Sequence, residues 1–135
     1  MNQIIMNTAP TDTGYCCTCE LLPGWVVTGS SDFDQFKKEV ADSVAFYLEC
    51  AQKDGERYPD VFDRPFEIVY KFNVQALLDY YRGIFSFAAL EHITGINQKQ
   101  LAHYASGRSK PRKRQAEKIS AGLHRLAHEL MTVTV

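Results

Sequence analysis

A chain of 135 residues, 45% hydrophobic and 23% charged, has the composition of a folded soluble protein with room for one domain or two small ones. No apolar run approaches the ~20 residues of a membrane span, and no apolar leader opens the chain, so a cytoplasmic protein without membrane contact is expected. The net charge of -1 hides an asymmetry: residues 84–135 carry eight bases (Lys99, Arg108, Lys110, Arg112, Lys113, Arg114, Lys118, Arg125) against three acids (Glu91, Glu117, Glu129), which leaves the rest at -6. All four histidines also fall in this basic part. A basic half joined to an acidic half suggests two partners of opposite electrostatic character.

In chain order, Ile4-Ile5-Met6 reads as a short strand, followed by a Pro/Thr/Asp turn ending at Gly14. Residues 15–20 have strand composition, Leu22-Pro23-Gly24 breaks the chain, and Trp25-Val26-Val27-Thr28 completes a three-stranded meander. Cys16, Cys17 and Cys19 lack the spacing of a zinc knuckle. They read as small apolar residues of a strand, with Cys17 and Cys19 on one face. After Gly29 the period becomes helical: Phe33, Phe36, Val40, Val44, Tyr47 or Leu48, and Ala51 form one stripe, with Asp32 as cap and Gly55 as stop. Residues 66–70 make a fourth strand, with Phe66, Ile68 and Tyr70 on one face.

Beyond Phe72 no strand signal returns. Asn73 can cap a helix through Tyr81, and Ser86 can cap a second that ends at Gly95. A longer helix from about Arg114 to Met131 spaces Ile119, Leu123, Leu126 and Leu130 along one face. The fold class expected is α+β: a β-β-β-α-β domain over residues 1–72, then an all-α domain over residues 73–135.

The stretch from Gly95 to Arg112 carries the functional signal. Gly95 permits a sharp reversal between helices, Asn97 is a good N-cap, and Gln100 is placed to close a capping box. The short helix that follows buries Leu101, Tyr104 and Ala105 and turns Gln98, Lys99, Ala102 and His103 outward. This is the pattern of the second helix of a helix-turn-helix, whose first turn lies nearest the base edges. Gln98 can bind adenine through two bonds and Lys99 can donate to guanine O6 and N7, with His103 one turn further on. Gln100 is divided between the cap and base contact. Arg108, Lys110, Arg112 and Lys113 follow on an exit loop suited to phosphate contacts.

Catalysis has little support. The acids of the first part are scattered over helix faces and loops, with no Gly-rich phosphate loop or nucleophile motif. His124 and His128 have the i, i+4 spacing of a metal pair but no evident third ligand. No catalytic residue, metal or cofactor is expected, and the chain reads as a non-enzyme.

Asp12, Gly14 and Tyr15, then Leu22-Pro23-Gly24 and Gly29 directly before an amphipathic helix, resemble the N-terminal domain of HicB-type antitoxins. Residues 95–112 look like the helix-turn-helix of phage repressors and related antitoxins, with Gln98, Lys99 and His103 at base-reading positions. Glu20-Leu21 and Trp25 depart from the family's pattern at one turn, so toxin-contact residues do not carry over. The resemblance implies a non-catalytic, partial ribonuclease H-like N-terminal domain that neutralises a HicA-like mRNA interferase. It also implies a C-terminal domain that represses the toxin–antitoxin operon by binding double-stranded operator DNA as a homodimer. Two alternatives stay open: a stand-alone transcriptional regulator with a ligand- or protein-sensing N-terminal domain, and a nuclease-like hydrolase delivered to DNA.

Overall fold

A computed structural model describes residues 1–135 as two compact units, Met1–Asn73 and Val74–Val135. The class is α+β: one four-stranded mixed sheet and five α-helices. The first unit holds twelve acids and six bases, the second nine bases and four acids.

In the first unit, β1 (Asn2–Pro10), β2 (Tyr15–Thr18) and β3 (Val26–Gly29) form an antiparallel meander. The long helix α1 (Phe33–Asp54) and a 3-10 turn (Asp60–Asp63) lead to β4 (Phe66–Phe72), which joins β1 in parallel. The sheet order is β3-β2-β1-β4. β1 is longer than the Ile4-Ile5-Met6 core that the sequence suggests, because it is paired along both edges. Asn2 to Thr8 pair with β4, and Asn7 to Pro10 with β2. Ladder bonds on both sides carry polar Asn7 into the strand despite its weak strand preference. β2 stops at Thr18 rather than residue 20. There two successive turns, Leu22 N–H to Cys19 O and Trp25 N–H to Leu22 O at 3.1 Å each, fold Cys19, Leu22 and Trp25 into the core.

One face of the sheet, carrying Ile4, Met6, Tyr15, Cys17 and Val27, packs with Phe36, Val40 and Val44 of α1. The predicted stripe of α1 is the buried one, and Asp32 caps it by accepting the Asp34 N–H at 3.0 Å. Tyr15, Phe33, Phe36, Tyr70 and Phe72 form an aromatic cluster with ring centroids 5.3–6.5 Å apart. Two glycines of the sequence motif have a steric reason. A Cβ on Gly14 would overlap the Gly29 carbonyl oxygen, and one on Gly29 would meet the Glu39 carboxylate that accepts the Ser30 N–H. Burial pushes the Cys17 thiol up to about 11 and the Tyr70 hydroxyl up to about 12.

The second unit contains α2 (Val74–Tyr80), a 3-10 turn (Tyr81–Gly83), α3 (Phe87–Thr94), α4 (Gln98–Ala105) and α5 (Lys113–Met131). Leu78, Leu90, Ile96, Leu101, Tyr104 and Ile119 make its core. Ser86 caps α3 by accepting the Ala89 N–H at 3.1 Å. α5 crosses the end of α3 closely: Gly122 lies against the Ile93 carbonyl, and Arg125 donates to the same oxygen at 2.8 Å. The apolar stripe expected along α5 is used only in part. Ile119 is buried and Leu123 half-buried, whereas Leu130 is 58% and Met131 85% exposed, because the helix outruns the core. No helix is long and apolar enough to cross a membrane.

Candidate nucleic-acid interface

α4 has eight residues, too few to persist alone in water. Leu101 and Tyr104 anchor it in the core, against α2 and α3. Its entry is fixed by a connected turn. Gly95 takes φ +76° and donates its N–H to Glu91 O at 2.8 Å. Thr94, buried, donates its hydroxyl to Leu90 O at 2.7 Å and accepts the Ile96 N–H at 3.2 Å. Ile96 then plugs into the core, and Asn97 caps α4 by accepting the Lys99 N–H at 2.8 Å. The turn between the two helices is therefore anchored at Gly95, Ile96 and Asn97, and the direction of α4 is set by α3.

The first turn of α4 presents Gln98 and Lys99, both exposed. Lys99 takes part in none of the chain's ion pairs, which are Lys37–Asp34, Arg64–Asp60 and Lys113–Glu117. Gln98 Nε2 reaches Glu91 Oε2 on α3 at 3.4 Å, an exposed contact whose length makes it weak. Gln100 has a different partner from the capping box expected of it. It is half-buried and donates Nε2 to Ser109 Oγ at 3.1 Å, which ties the exit loop back to the helix. The cap at Asn97 consequently rests on one side chain. His103 and Ala102, expected to face outward, are half-buried along a cleft.

The exit loop leaves α4 through Gly107, at φ +78° against the Gln75 amide, with Ser109 N–H donating to His103 O at 3.3 Å. Arg108, Lys110 and Arg112 are exposed there, and Arg112 is the residue before α5. Lys113, 91% exposed, makes a loose 3.9 Å contact with Glu117, which exposure to solvent makes weak. A run of cations held on a constrained loop next to a polar helix face suits contact with a polyanion.

Arg82 has no local sequence signal that ties it to this surface. It lies in the 3-10 turn after α2, outside the basic segment counted from residue 84, and its guanidinium carbon sits 6.0 Å from the centre of the Phe87 ring. With Phe87, Ala102, His103, Ser106 and Arg108 it lines a cleft of about 360 Å³. A second cleft, of about 420 Å³, lies on the other unit, where Asn7, Ala9, Cys16, Thr18 and Lys71 contribute to its walls. The four cysteines are free thiols, with Cys17 and Cys19 buried.

Comparison with protein-family models, with curated proteins and with solved structures gives no match to this chain.

Proposed function

We propose that the chain is the antitoxin of a HicA/HicB-like pair: a DNA-binding autorepressor through its second unit and an inhibitor of a small basic ribonuclease toxin through its first. The observation that carries the DNA-binding half is the exposed Gln98–Lys99 turn of α4, set by the pinned Gly95 turn and followed by Arg108, Lys110, Arg112 and Lys113. In this reading α3 and α4 form a helix-turn-helix. Gln98 and Lys99 read base edges, the loop cations contact phosphates, and Gln100 positions that loop through Ser109. The exposed Leu130 and Met131 at the end of α5 supply apolar surface for a homodimer, which would place two such helices on two half-sites.

The inhibitory half is supported by the charge of the first unit, twelve acids against six bases, which favours rapid encounter with a basic toxin. Its meander, helix and parallel fourth strand are in keeping with the partial ribonuclease H-like fold implied by the resemblance. The protein is read as a cytoplasmic non-enzyme with no cofactor.

A growth-rescue experiment tests the proposal. The small open reading frame beside the gene is induced alone and then with this chain. Arrest that the chain reverses supports the antitoxin reading; arrest that it cannot relieve, or no arrest, refutes it. The cleft of about 420 Å³ on the first unit favours a second reading, a stand-alone regulator that senses a ligand there. Operator binding that responds to a metabolite and not to the neighbouring gene product would establish that alternative.

A further inference from the structure

We propose that the cleft between Phe87 of α3 and the second half of α4 seats one phosphate of the DNA backbone, with Arg82 as a phosphate ligand alongside Arg108. This inference rests on the DNA-binding reading of α4 and extends its contact surface to a part of the chain outside the motif.

The lining is chemically one-sided. Arg82, Arg108 and His103 bring nitrogen donors, while Phe87 and Ala102 contribute apolar wall and no carboxylate is present. Neither arginine is engaged in an ion pair. Arg82 leans toward the face of Phe87, a placement that orients the stem and leaves the guanidinium fork available. Arg108 is fixed at its backbone: its N–H donates to Ser106 Oγ at 3.4 Å, and that hydroxyl donates to His103 O at 3.2 Å. Two planar forks beside a small-residue wall suit an oxyanion rather than a neutral ligand, and the phosphodiesters of a duplex supply one at the groove edge.

The position along α4 also fits. Eight helical residues rise about 12 Å, and the major groove is about 12 Å wide. With Gln98 and Lys99 against the bases at one end, the cleft at the other end falls at the phosphate wall of the groove. The clamp would set the depth and tilt of the helix and carry no sequence information.

The test is the salt dependence of binding of the full chain to the duplex upstream of its own gene and to a scrambled duplex, compared with Arg82→Gln and Arg82→Lys. Arg82→Gln is expected to weaken both duplexes by the same factor and flatten the log–log salt slope by about one, and Arg82→Lys to restore the slope. An unchanged slope and affinity in Arg82→Gln overturns the clamp while leaving base reading by Gln98 and Lys99 intact. A flattened slope in Arg82→Gln, together with Gln98→Ala and Lys99→Ala variants that show no loss specific to the upstream duplex, leaves the clamp standing and refutes the base-reading assignment. A titration followed by arginine Nε NMR signals separates the sources of phosphate. Shifts at Arg82 and Arg108 with inorganic phosphate but none with either duplex would overturn the DNA assignment in favour of a free phosphate ligand.

Discussion

Helix propensity and packing make opposite predictions for Gly122→Ala, which makes this substitution a sharp test of how α5 holds the second unit together. Glycine inside a helix costs about 1 kcal/mol relative to alanine, so propensity alone expects the variant to be stabilised by about that amount. Packing expects the reverse. Gly122 is buried where α5 crosses the end of α3, and a Cβ there would stand 2.8 Å from the Ile93 carbonyl oxygen. It would also lie 3.2 Å from the Ile93 carbonyl carbon and from Thr94 Cα. These are backbone atoms, so no side-chain rotation relieves the contact; the helix has to retreat by about 0.5 Å, which forfeits about a quarter of the dispersion energy across the contact. The same movement stretches the 2.8 Å bond from Arg125 to Ile93 O and loosens Ile119 in the core. Overpacking of this kind costs about 1–3 kcal/mol, and the propensity gain offsets about 1, so a net loss centred on about 1 kcal/mol is expected. In a unit of this size that lowers Tm by about 4–8 °C. Thermal unfolding by far-ultraviolet circular dichroism measures it. Gly83→Ala serves as control, because a Cβ on Gly83 meets nothing within 4 Å. A Gly122→Ala protein that melts higher than the parent would show that the α3–α5 crossing is not close-packed at this point, and the reasoning would fail.

Gln98→Ala and Lys99→Ala should each weaken binding to the upstream duplex by about 1–3 kcal/mol while leaving the scrambled duplex nearly unaffected. Equal losses on both duplexes, measured by fluorescence anisotropy, would refute base reading. Gly14→Ala should prevent normal pairing of β2 with β3, since the added Cβ overlaps the Gly29 carbonyl oxygen. The expected loss is about 2 kcal/mol or more, seen as weakened amide-exchange protection in the first unit with the second unit unchanged. With its folded-state pKa raised from 9.0 to about 11, Cys17 favours the folded state at neutral pH, and that contribution is lost as pH rises between those values. Alkaline titration should therefore destabilise the first unit over that window, and Cys17→Ala should flatten the dependence. An identical pH profile in the variant would show that the Cys17 thiol does not control it.

Local rules carried much of the architecture. The α1 stripe, the Asp32, Ser86 and Asn97 caps, and the Gly55 and Gly95 stops were legible because they depend on residues within a few positions of one another. The candidate DNA-reading turn was legible for the same reason: Gly95, Asn97, Leu101 and Tyr104 fix its register locally. Other features required the tertiary structure. The length of β1 depends on partners on both edges, one of them some sixty residues away, and composition does not report a ladder. Gln100 satisfies the capping-box spacing, but its amide reaches Ser109 because the exit loop returns beside the helix. His103 appears exposed on a helical wheel, yet the 3-10 turn with Arg82 and the start of α3 rise beside it to form a cleft. Gly122 looks like a flaw in α5 until Ile93 of α3 is seen to occupy the place of its missing side chain. The sequence by itself determined the succession of elements, the separation of acid from base and the outward turn of Gln98 and Lys99, all set by neighbouring residues. Only the tertiary structure decided which distant groups meet, and with them the Arg82 cleft and the close α3–α5 crossing, because those contacts arise from packing between elements.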